Sequence, residues 1–131
     1  MSGLNSPQKL AVEYTDGPLL VLAGAGSGKT RVITEKIAHL IARGKHEAKH
    51  IAAITFTNKA AREMRERVAK RVKGDAAEGL TISTFHSLGL KFLQIEHARA
   101  KLRRGFSIFD SDDQMGIVKD LAPSGLKKDA L

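Results

Sequence analysis

The twelve residues from Leu19 to Thr30, Leu-Leu-Val-Leu-Ala-Gly-Ala-Gly-Ser-Gly-Lys-Thr, constrain this chain more than any other stretch. Four large apolar residues run without a break into a glycine-rich turn, then Gly-Lys-Thr, then a helical pattern. An uninterrupted apolar run of this length predicts a strand buried on both faces, as in a parallel sheet. The glycines let the backbone turn tightly and aim its N–H groups at an anion. The N-terminus of the following helix adds further N–H donors and a partial positive charge. Lys29 is placed to reach outer phosphates, and the Thr30 hydroxyl to ligate Mg²⁺. Together, Ala23, Gly24, Ala25, Gly26, Ser27, Gly28, Lys29 and Thr30 are expected to cradle the phosphates of a nucleoside triphosphate. The usual pattern opens on glycine and here opens on Ala23, which is nearly as small. A dinucleotide fingerprint fits less well, because Lys29 stands where its last glycine belongs.

The rest of the chain supplies alternating elements. Asn5 or Ser6 is a candidate cap for a short helix to about Tyr14, with Leu10, Ala11 and Tyr14 expected inward. Thr30 to about Ala42 reads as a helix with Val32, Ile33, Ile37, Leu40 and Ile41 on one face, stopped at Arg43-Gly44. Ile51 to Phe56 reads as a second strand, and Thr57 or Asn58 caps a helix from about Lys59 to Val72. That helix has Ala60, Ala61, Met64, Val68 and Val72 inside, and its many Lys and Arg residues read as a solvated face with local ion pairs. Leu80 to Thr84 alternates like a third strand, and Phe85 to about Ala98 follows as a helix. Strand and helix in alternation predict right-handed crossovers and a parallel sheet, with ligands beyond the C-terminal strand ends. Aromatic, hydroxyl, amide and basic groups cluster at two of those ends, Thr55-Phe56-Thr57-Asn58 and Thr84-Phe85-His86. Such groups can stack bases and hold phosphates of a single strand, although Phe56 and Phe85 could equally be core residues.

The tail differs. Residues 98–104 are basic and poor in core residues, Phe106 to Phe109 is strand-like, and Asp110 to Gln114 opens a helix to about Leu121. Over 131 residues, 22 Lys and Arg outweigh 14 acids for a formal charge of +8, which suits a polyanion partner. The absence of cysteine excludes disulfides and thiolate metal sites and suits a cytoplasmic setting. No apolar run approaches the roughly 20 residues of a membrane span, and the first residues lack signal-peptide character.

The phosphate loop, the T-F-T-N-K-A-A run from Thr55 to Ala61, the T-F-H-S-L-G run from Thr84 to Gly89 and the opening L-N-S-P-Q together resemble the superfamily 1 DNA helicases of the Rep/UvrD/PcrA type. The resemblance implies an α/β fold, a P-loop NTPase (RecA-like) parallel sheet with flanking helices. The sheet is expected to be incomplete, over residues 1–98, with the start of a helical accessory insert over 99–131. It implies ATP and Mg²⁺ as cofactors, with Gln8 reading adenine and Arg31 helping at the base. It implies contacts to single-stranded DNA from Thr55, Phe56, Thr57, Asn58, Thr84, Phe85 and His86. The family motor also needs an Asp-Glu pair for Mg²⁺ and water, and arginines from a second RecA-like domain. Neither is evident here: Asp110 ends an apolar-leaning run, but the string is D-S-D-D-Q. The chain therefore reads as the N-terminal part of a 3′-to-5′ helicase, without turnover alone. A small P-loop kinase and a non-catalytic nucleic-acid-binding module are the alternatives.

Overall fold

A computed structural model describes residues 3–123. Residues up to Leu90 form one compact unit and those from Lys91 onward a second.

In the first unit, helix α1 (Ser6–Glu13) starts at Asn5. The Asn5 side chain accepts from the Gln8 N–H at 2.9 Å, and the Asn5 N–H donates to Gln8 Oε1 at 3.0 Å. This reciprocal box, with Pro7 in the first turn, is why so short a segment is helical. Helix α2 (Lys29–Ala42) ends at Arg43, followed by Gly44 at φ +65°. Strand β1 (Ala52–Thr55) leads through α3 (Asn58–Arg71) to strand β2 (Thr81–Thr84). The strands pair in parallel, Ala52 opposite Thr81 through Thr55 opposite Thr84. Short 3₁₀ turns at Ala48–His50 and Gly74–Ala77 precede the two strands.

The core lies where α3 packs on the sheet and α2 packs on α3. Ile37 of α2, Ala53 and Ile82 of the strands, and Ala61, Met64, Val68 and Val72 along α3 are all buried. The α3 positions recur at three- and four-residue spacing, so the helical period places them on one face, as the sequence indicated. A smaller cluster of Ala11, Val12 and Val32, with Leu4 against it, docks α1 on α2.

Several expectations are corrected. Leu19 to Leu22 is not a strand, and Leu20 and Leu22 are 82% and 88% exposed. Its composition favours a strand, but a strand is held by ladder hydrogen bonds, and β1 and β2 pair only with each other among the described residues. Phe106 to Phe109 is likewise not a strand. Leu10 and Tyr14 face outward; Ala11 and Val12 make the α1 contact, because a two-turn helix buries only what meets Val32. On α2, Ile33 is exposed, while Thr34 and Glu35 are buried. The α3 basic run is not wholly a solvated face. Arg65 donates from Nη1 to the Ile82 carbonyl of β2 at 2.6 Å, and Arg71 is paired with the buried Glu35.

Helix α4 (Phe85–Ile95) carries the chain from the first unit into the second and is three residues shorter than the pattern suggested. In the second unit, helix α5 (Ser111–Leu121) starts at Asp110. Asp110 Oδ1 accepts from the Asp113 N–H at 2.8 Å, and Asp113 Oδ2 accepts from the Asp110 N–H at 3.2 Å. The sequence-level expectations for Leu126 to Leu131 lie outside the described residues.

Candidate functional site

The glycine-rich loop from Ala23 to Gly28 is bent by two glycines in the left-handed region, Gly26 at φ +74° and Gly28 at φ +83°. Gly28 is the N-cap of α2, with ψ 26° and no side-chain cap. The first N–H groups of α2 therefore keep their donors for a ligand rather than spending them on a cap. Upstream, the Ser27 hydroxyl donates to the Gly24 carbonyl at 2.6 Å and the Ser27 N–H to the same oxygen at 3.3 Å. Lys29 curls back over this turn and donates to the Ala23 carbonyl at 3.3 Å. Thr30 opens α2 beside Lys29, and its carbonyl accepts from the buried Thr34 hydroxyl at 2.9 Å.

Gln8 belongs to the same assembly. Its Nε2 donates to the Ser27 carbonyl at 2.9 Å, while its Oε1 stays engaged in the α1 capping box. A methyl group on Gly28 would stand 3.1 Å from that Nε2. Gln8, Pro7, Ser27, Lys29 and Val32 line one cavity of about 540 Å³, within the range of small-molecule sites. The Arg31 guanidinium lies against Gly3, so closely that a side chain there would displace it.

Thr55 and Thr84 are the last paired positions of the sheet, so the two other clusters leave it side by side. Phe56 is 91% exposed and Phe85 60%; their ring centroids are 6.0 Å apart at 53°. Neither ring is core packing. Thr57 caps α3, accepting from the Ala60 N–H at 3.1 Å, and Asn58 is the first α3 residue. Thr55 donates to the Thr57 carbonyl at 3.1 Å. Thr84 is buried, and its hydroxyl accepts from the Ser87 N–H at 3.1 Å at the start of α4. His86 is exposed in the first turn of α4. No hydrogen bond joins the phosphate-loop group to the strand-end group among the described residues.

Three supporting residues escaped the sequence reading. Lys36 donates to the Ala11 carbonyl at 2.8 Å and to the Tyr14 carbonyl, fastening the C-terminus of α1 to α2. Burial lowers the Lys36 pKa below the ordinary lysine value. Glu35 and Arg71 tie α2 to the last turn of α3. The only sequence signal was two charged residues inside the apolar period of α2, between Val32 and Ile37.

The arrangement, a glycine-bent loop heading a helix beside a parallel sheet with aromatic strand ends, belongs to a family that comparison identifies. The chain is a member of the UvrD/REP helicase N-terminal domain family, whose model matches residues 4–130. Among curated relatives, it is 55% identical over 126 residues to the ATP-dependent DNA helicase Rep of Escherichia coli K12, covering 96% of this chain and 19% of that protein. The Rep helicase of Salmonella typhimurium LT2 is similar to the same degree. The ATP-dependent DNA helicase PcrA of Bacillus subtilis 168 is 53% identical over 122 residues, 92% of this chain and 16% of that protein. The chain thus spans under a fifth of the length of these relatives.

Proposed function

We propose that this chain is the N-terminal part of an ATP-dependent 3′-to-5′ DNA helicase, supplying a nucleotide site and part of a single-stranded DNA track. The observation that carries the reading is the left-handed, uncapped Gly28 at the head of α2, with Lys29 folded over the loop before it. The donor set suits a magnesium nucleoside triphosphate. Ala23 to Gly28 form the cradle, Lys29 bears on the outer phosphates, and the Thr30 hydroxyl is a Mg²⁺ ligand. Gln8 spends one lone pair on the Asn5 N–H and one N–H on the Ser27 carbonyl. One N–H and one lone pair remain, the complement of the N7 acceptor and N6 donor of adenine. Arg31 supports the base from the α2 side.

Thr55, Phe56, Thr57, Asn58, Thr84, Phe85 and His86 form the track. The tilted, exposed Phe56–Phe85 pair offers π-faces to unstacked bases. Thr57 and Thr84, already committed as caps, shape the turns that present those rings. The fold is the leading portion of a RecA-like domain, and residues from 99 onward begin an accessory helical segment. A second RecA-like domain in the remainder of the motor, working in the cytoplasm, supplies the transition-state arginines. Cleft closure on ATP then shifts the grip on DNA.

The test is a titration with a fluorescent ATP analogue in Mg²⁺. Lys29→Ala removes a charged donor worth about 1.5–3 kcal/mol and lowers affinity about 10- to 100-fold. An isotherm that Lys29→Ala leaves unchanged refutes the nucleotide site. The chain alone is expected to show no DNA-stimulated hydrolysis, because no Asp-Glu pair follows an apolar run in its sequence.

A further inference from the structure

The basic segment from Arg99 to Arg104 has no part in the site above, and its conformation is unusual. It carries Arg99, Lys101, Arg103 and Arg104, and no acid occurs between His97 and Phe109. Only Arg99 is paired, through Nε to Glu96 at 3.2 Å; Lys101, Arg103 and Arg104 make no ion pair among the described residues. The loop holds itself by its backbone. The Lys101 N–H donates to the Ala98 carbonyl at 3.1 Å, Leu102 to His97 at 2.8 Å, and Phe106 to Arg103 at 3.2 Å. The exposed cations are therefore not what folds it.

Lys101 sits at φ +56°, the one non-glycine residue at positive φ among the described residues. Stability alone would favour glycine there, since a lysine Cβ crowds the backbone in that region. The chain instead keeps a cation at the strained position. Close by in the chain, Gln94, His97, Arg104, Gly105 and Phe106 line a cavity of about 260 Å³. That is below the roughly 300–1,000 Å³ of whole-molecule sites, and it suits a single oxyanion. His97, one of these lining residues, also carries a buried Nδ1 without a hydrogen-bond partner among the described residues.

We propose that residues 97–105 form a phosphodiester-binding loop. Arg104 holds one phosphate at the cavity, and Lys101 and Arg103 neutralise its neighbours along a single strand. One captured ion would need only Arg104; three exposed cations on a self-supporting loop match a polymer of phosphates. The assignment rests on the DNA reading above and adds a contact separate from the Phe56–Phe85 pair.

Lys101→Gly separates binding from folding. It relieves the strained backbone, so Tm stays equal or rises, yet it removes a cation. Binding of the chain to a labelled oligothymidylate is followed by fluorescence anisotropy from about 50 to 200 mM salt. Lys101→Gly and Arg104→Gln each weaken binding about three- to tenfold at the low end and reduce the salt slope by about 0.7. Inorganic phosphate competes only at far higher concentration. Unchanged affinity and slope in both variants, with Phe56→Ala still weakening binding, overturn the loop alone. No DNA binding by the unmodified chain overturns both this loop and the DNA reading. Tight binding of inorganic phosphate without DNA binding identifies a small-anion site and overturns the polymer assignment.

Discussion

Adding a methyl group to each glycine of the phosphate loop in turn separates conformational strain from crowding. Gly24→Ala introduces a Cβ with nothing within 4 Å, at a position outside the positive-φ set, and costs under about 0.5 kcal/mol. Gly26→Ala also meets nothing within 4 Å, but at φ +74° it pays the left-handed penalty of about 1–2 kcal/mol. Gly28→Ala pays the same penalty at φ +83°, and its Cβ stands 3.1 Å from Gln8 Nε2. Gln8 must then loosen its bond to the Ser27 carbonyl, adding about 0.5–1.5 kcal/mol for a total of about 1.5–3.5 kcal/mol. Urea unfolding measures this order directly, and the fluorescent ATP analogue reports whether affinity follows it. The affinity loss is expected to be greatest at Gly28, where the loop passes into the first donors of α2. Equal costs at Gly24 and Gly28, or a neutral Gly28→Ala, would refute the account of the loop.

Two further outcomes follow from the supports of the site. Arg71→Ala strands the buried Glu35 carboxylate and is expected to cost about 2–3 kcal/mol in urea unfolding, less than a fully enclosed pair because Arg71 is partly exposed; Glu35→Gln added to it should recover part of that loss. The lowered Lys36 pKa means that the unfolded chain binds that proton more tightly, so stability from Lys36 rises with pH between the depressed folded value and the usual 10.5. The difference in unfolding free energy between the unmodified chain and Lys36→Met should therefore grow toward alkaline pH, and a difference that shrinks there would contradict the burial effect.

What was legible in the sequence was what local chemistry decides. Asn5 with Gln8, Thr57 with Ala60, and Asp110 with Asp113 are caps whose partners lie three residues away, and each helix starts as its cap dictates. The α3 core face followed from period alone. The bend of the glycine-rich loop was legible because Gly26 and Gly28 are demanded by φ, not by packing. What failed depended on distant partners. Leu19 to Leu22 has the composition of a strand but no ladder neighbour among the described residues. The partners of Glu35 and Lys36 could not be read from the sequence, because Arg71 is 36 residues from Glu35 and the Ala11 carbonyl 25 from Lys36. The exposure of Phe56 and Phe85, left open by the sequence, was settled by the register that ends both strands together.

The glycine-rich loop is held by α2 and by the Gln8 bond to Ser27, but its entering run, Leu19 to Leu22, is not held by a sheet among the described residues. Two equilibria therefore share one hinge: the ordering of that run and the occupation of the loop. By thermodynamic linkage, any strand partner that pins Leu19 to Leu22 raises affinity at the loop by the same factor by which an occupant of the loop favours the pinned run. Unpinned, the loop binds with its intrinsic strength reduced by the fraction of chains already in the competent arrangement.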